Sequence, residues 1–114
     1  MAKLDFKGKW VLVTGASSGL GLEIARHLAR KEKANLVIAA RRKERLEKLK
    51  HEIERTSQAL VKVIVVDLES EQGGDILFRE TIKLAEIYAL INNAGITYYG
   101  KSSESHIDQF NKII

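Results

Sequence analysis

The chain has 114 residues, a formal net charge of +4, and neither cysteine nor proline. That length supports one domain around a single modest core, and the lack of cysteine excludes disulfides, thiol catalysis and thiolate metal sites. No apolar run approaches the roughly 20 residues needed to span a bilayer, and residues Met1 to Lys9 carry no secretory h-region, so a cytoplasmic location is expected.

The excess of positive charge raises nucleic acid as a partner. Basic residues gather at Arg41-Arg42-Lys43 and continue to Arg55, but Glu44, Glu47, Glu52 and Glu54 alternate with them. Alternating sign marks a solvated helix face rather than a phosphate-tracking stripe, so no nucleic-acid partner is expected. His27, His51 and His106 share no ligand spacing, and no metal site is expected.

In chain order, strand and helix patterns alternate. Trp10 to Thr14 reads as a strand, and Gly19 to about Lys31 as a helix with Leu20, Ile24 and Leu28 inward and Ala25 and Ala29 beside them. Asn35 to Ala40 is almost wholly apolar, as a strand covered on both faces should be. Arg42 to Thr56 follows as a helix with Leu46, Leu49 and Ile53 inward. Leu60 to Val66 is the third strand, ending at Asp67. A third helix after Gly73-Gly74 would turn Phe78, Ile82 and Ala85 inward. Tyr88 to Ile91 is a short fourth strand, Thr97 to Ser103 a polar loop, and a last helix starts near Ser105. Such alternation predicts right-handed crossovers and a doubly wound parallel sheet with helices on both faces.

The stretch with the clearest chemistry is Val11 to Gly21, V-L-V-T-G-A-S-S-G-L-G. A strand that runs into a glycine-rich turn and opens a helix is a device for holding phosphate. Glycine allows tight turns and close approach of an anion, and the helix N-terminus behind it supplies unpaired N–H groups. Ser17, Ser18 and the Leu20 N–H are the candidate donors. Gly15-Ala16-Ser17-Ser18-Gly19 also matches the G-x-S-x-G nucleophile elbow of hydrolases, with Ser17 as nucleophile. That remote alternative lacks the earlier strands an oxyanion hole needs, and no histidine falls at a triad spacing. The Gly-Lys-Ser/Thr of a P-loop is absent.

Thr14-Gly15-Ala16-Ser17-Ser18-Gly19-Leu20-Gly21 resembles the T-G-x-x-x-G-x-G motif of the short-chain dehydrogenases/reductases, and Asn92-Asn93-Ala94-Gly95 resembles that family's N-N-A-G. The resemblance implies a Rossmann-type fold, incomplete here, with strand order 3-2-1-4 in one domain spanning 1–114. It implies a dinucleotide held by Gly15, Ser17, Ser18, Gly19, Leu20 and Gly21 at the pyrophosphate, with Asp67 and Leu68 beside the adenine. Asn93, Ala94 and Gly95 would line the ribose side. At the end of the second strand stands Ala40, where an NAD enzyme carries an acid, followed by Arg41 and Arg42. A guanidinium meets phosphate bidentately, so NADP(H) is favoured, with NAD(H) as the alternative.

The family's catalytic Tyr-x-x-x-Lys has no counterpart. The residues four beyond Tyr88, Tyr98 and Tyr99 are Asn92, Ser102 and Ser103. Two readings follow: the N-terminal cofactor-binding part of an oxidoreductase acting on a carbonyl or alcohol substrate, or a stand-alone dinucleotide-binding or oligomer-forming module without turnover. An open edge at the fourth strand would favour a homo-oligomer.

Overall fold

The computed structural model describes residues 5–92 and 95–98. In chain order the elements are β1 (Trp10–Thr14), α1 (Gly19–Arg30), β2 (Asn35–Ala40), α2 (Lys43–Thr56), β3 (Val61–Val65), α3 (Gly73–Leu84), β4 (Ile87–Asn92) and β5 (Gly95–Tyr98). They form one sheet of order β3-β2-β1-β4-β5. The four parallel strands therefore have the expected order 3-2-1-4. β1 is the hinge of the topology, because the chain crosses outward to β2 and β3 and then returns to its other side as β4.

Strand residues alternate between two cores, as a period of two requires. Val11, Val13, Leu36, Ile38, Ala89 and Ile91 join Ala25, Leu28, Ala29, Leu46, Leu49 and Ile53 on the face covered by α1 and α2. Leu12, Val37, Ala39, Ile64 and Leu90 join Leu77 of α3 on the other. Burial on both faces is why β1 and β2 read as unbroken apolar runs.

α1 and α2 are also tied together at the surface. Glu52 accepts from Arg26 Nε at 2.7 Å and Arg26 Nη2 at 2.9 Å, and from Arg30 Nη2 at 2.8 Å. These guanidinium hydrogen bonds, led by Arg26, hold the Glu52 carboxyl below the ordinary carboxylate range.

Several inward faces differ from the sequence reading. Leu20 is 69% exposed, because the first turn of α1 projects past the end of β1. Leu28, Ala25 and Ala29 are buried as expected, and Ile24 packs partly buried against the same core. In α3 the buried stripe is Gly73, Leu77 and Thr81, while Ile82 is 60% exposed and Ala85 is the C-cap. Phe78 and Ala85 still pack, partly buried, against the core on that face, so the buried stripe is turned only part of the way from the expected one. Leu60 precedes β3 and is exposed.

The fourth strand is not an edge. β5 pairs antiparallel with β4, Asn92 opposite Gly95 and Ala89 opposite Tyr98. Two residues separate these strands, a hairpin length. Thr97 and Tyr98 thus lie in a strand rather than a polar loop, and the open edge expected to drive oligomers is occupied. The helix expected near Ser105 lies outside the described residues.

Glu52→Gln should cost about 1–2 kcal/mol at neutral pH. A carboxyl with a lowered native pKa stabilises above its ordinary value of about 4.3 and loses that contribution as the pH falls through the native value. Urea denaturation of both proteins at pH 7 and pH 3 should show the gap closing in acid; a gap of equal size at both would contradict the ion-pair account.

Candidate nucleotide site at the ends of the parallel strands

The chain leaves β1 through Gly15, whose φ of 64° lies in the left-handed region. The turn is tied to the neighbouring strand by Ala16 N–H donating to the Ala39 carbonyl at 3.4 Å. Gly19 opens α1 with φ 59°. Gly21 is glycine for a different reason. A Cβ there would lie 2.3 Å from the Gly15 carbonyl oxygen and 2.9 Å from its carbon, so only a bare Cα lets α1 pack on the turn.

Ser18, the N-cap of α1, is extended, its side chain makes no capping bond, and the first turn holds no acid. The positive end of the helix therefore faces outward without internal compensation.

In front of this turn lies a cavity of about 470 Å³, lined by Gly15, Ser17, Ser18, Leu20 and Gly21 on one side. The ends of β2 and β3 supply the remainder: Ala40, Arg41, Arg42 and Arg45, then Val66, Asp67, Leu68 and Glu69. Loops from the carboxyl ends of three parallel strands thus converge where the strand order reverses, the position at which doubly wound sheets bind ligands.

Most of the residues singled out from sequence meet here. Gly19 shapes the turn without lining the cavity, Gly95 opens β5 opposite Asn92, and Asn93 and Ala94 lie outside the described residues. Sequence reasoning missed Arg45 and Glu69. Arg45 could have been found from helical spacing, since three residues beyond Arg42 returns to the same side of α2. The guanidinium groups of Arg41, Arg42 and Arg45 make no hydrogen bond or ion pair among the described residues.

Three cations without ion-pair partners stand at the N-terminal end of α2, where they oppose the helix dipole that Glu44 of the same turn complements. An arrangement that costs stability and leaves cations unpaired is suited to an anion. Asp67, by contrast, is half engaged. Its Oδ1 accepts the Glu69 N–H at 2.9 Å, and its carbonyl accepts the Ser70 hydroxyl at 2.8 Å. No histidine lines the cavity, so Ser17 has no imidazole beside it and the hydrolase reading gains no support from the described residues.

A glycine turn, an uncapped helix N-terminus and a cavity at the switch point define a Rossmann-type α/β fold with a nucleotide-sized site. The family profile described as short chain dehydrogenase matches residues 9–114, and the chain belongs to that family. It is 40% identical over 93 residues to an 11-beta-hydroxysteroid dehydrogenase of Pinus massoniana, covering 81% of this chain and 26% of that protein.

Among solved structures, an L-sorbose reductase from Gluconobacter frateurii complexed with NADPH and L-sorbose superposes with a TM-score of 0.70 at 27% identity. That match covers 94% of this chain and 42% of the other. A short-chain dehydrogenase from Sphingobium yanoikuyae in complex with NADPH gives 0.68 at 32% identity, covering 90% and 41%. The chain therefore spans about a quarter of that curated relative and about two fifths of those structures.

The two kinds of glycine should separate experimentally. Gly19→Ala meets no atom within 4 Å and should cost only backbone strain, about 1 kcal/mol. Gly21→Ala must displace main chain and should cost more, about 2–3 kcal/mol. Equal losses in denaturant titrations would refute the close-packing role.

Proposed function

We propose that the chain is the cofactor-binding part of an NADP(H)-dependent oxidoreductase that moves a hydride between the cofactor and a carbonyl or alcohol substrate. The observation that carries the choice of NADP(H) is the set of three unpaired arginines, Arg41, Arg42 and Arg45, at one end of the cavity, with Ala40 in place of an acid. The NADPH named for the sorbose reductase and the Sphingobium enzyme supports the same reading.

The residues present fit such a group. Gly15 and Gly21 leave the cradle free of Cβ atoms, and main-chain N–H groups of the α1 first turn would hold a pyrophosphate. The arginines would hold a 2′-phosphate at the β2 end; their forked donors suit a dianion better than lysine would. Asp67 and Leu68 would bound the base, and Asn93, Ala94 and Gly95 would line the ribose side. When bound, the nicotinamide ring supplies the hydride.

This chain's own residues bind and orient. No Tyr-x-x-x-Lys occurs in the sequence, so these residues alone should hold the cofactor without turning it over. A stand-alone binding module would share the site and would also bind without turnover.

Fluorescence titration should show NADPH binding at least about tenfold tighter than NADH. Arg41→Asp should abolish that preference by weakening NADPH and sparing NADH. Equal affinities in the wild type, or an unchanged preference in the variant, would overturn the assignment.

A further inference from the structure

Gly73 is the first residue of α3 and is buried. A Cβ built on it would lie 2.2 Å from the Asp67 carbonyl oxygen, 2.8 Å from the Leu68 Cα and 3.0 Å from the Asp67 carbonyl carbon. All three are main-chain atoms, so no side chain can swing aside to make room. The φ of Gly73 is not positive, so the backbone itself does not demand glycine there. The close approach is what a glycine at this position secures.

The segment under α3 is a closed turn. Asp67 Oδ1 accepts from Glu69 N–H, the Asp67 carbonyl accepts from both the N–H and the hydroxyl of Ser70, and the Ser70 carbonyl accepts from Gly73 N–H at 3.2 Å. The same segment, Asp67 to Glu69, is one wall of the cavity. With Val66, Leu68 and the facing Ala40 it forms the larger apolar part of the lining; the opposite rim is the glycine-serine turn with Leu20, and the β2 end is arginine. Asp67 Oδ2 has no partner among the described residues. An apolar wall with one free carboxylate oxygen suits a flat purine carrying an exocyclic amine.

We propose that Gly73 is a positioning residue for the base end of the cavity. By admitting no side chain, it seats α3 directly on the Asp67–Leu68 main chain. That seating holds in place the wall to which the dinucleotide reading assigns the base. The inference rests on the dinucleotide reading above. It also accounts for the partial rotation of α3, since burial of Gly73 brings Leu77 and Thr81 inward at intervals of four.

The test compares a base-bearing probe, 2′,5′-ADP, with a phosphate-only probe, inorganic pyrophosphate, on the same protein. Gly73→Ala should weaken 2′,5′-ADP by about tenfold or more and leave pyrophosphate within about twofold. Ser70→Ala adds no volume but removes the hydroxyl bond to Asp67, and should weaken 2′,5′-ADP by about threefold, again sparing pyrophosphate.

Cooperative unfolding of each variant separates local displacement from loss of fold. Should Gly73→Ala not fold, Ser70→Ala decides alone. Variants that bind 2′,5′-ADP like the wild type, or that lose both probes in equal measure, would overturn the inference and leave the dinucleotide reading standing. A wild type that binds neither 2′,5′-ADP nor NADPH would end both.

Discussion

The contact on which this molecule depends is the one between Gly21 and the carbonyl of Gly15. α1 can reach the end of β1 only because nothing but a hydrogen stands on the Gly21 Cα. From that approach follow the tight turn, the outward-facing first turn of α1 and the cavity in front of it. The sheet supplies the frame. β1 sits between β2 and β4, so its C-terminal turn opens at the place where the chain's crossovers diverge. Fully buried Leu12, Val13, Leu36, Ile38 and Leu90 hold that frame from both faces.

A second close approach mirrors the first. Gly73 lies against the Asp67 carbonyl as Gly21 lies against that of Gly15, so both opposing walls of the cavity are set by a helix resting on main chain. Between them stand arginines that no described side chain neutralises. Hydrophobic burial stabilises the domain, whereas the rim of the cavity works against it. Left-handed glycines, an uncapped helix start and arginines without ion-pair partners at a helix N-terminus are all placed there. Such local costs gathered at one place mark a site rather than a defect.

Much of this was legible in the sequence. The period-two strands, the inward leucines of α2 and the glycine spacing translate directly into burial and turn geometry. The failures have physical reasons. Leu20 fits a helical stripe by spacing, but it has no sheet beneath it. In α3, Phe78 packs against the core as its spacing implies, but Ile82 is exposed because burial of Gly73 turns Leu77 and Thr81 inward. Arg45 was read as part of a solvated helix face, because its convergence with Arg41 depends on where α2 begins. β5 is harder to read because Gly95 follows a turn-like Asn-Asn-Ala and Thr97 leads into a polar stretch, although Ile96, Thr97 and Tyr98 are themselves strand formers.

The central claim is that one cavity, framed by Gly15–Gly21, Arg41–Arg45 and Asp67–Glu69, takes a phosphate-rich dinucleotide. The most direct measurement is a titration of the ¹⁵N-labelled chain with NADPH, followed by amide chemical shifts. The account predicts that the largest changes fall on those three segments together and saturate with one binding constant. Changes concentrated elsewhere, or confined to the arginines and abolished by moderate salt, would contradict it.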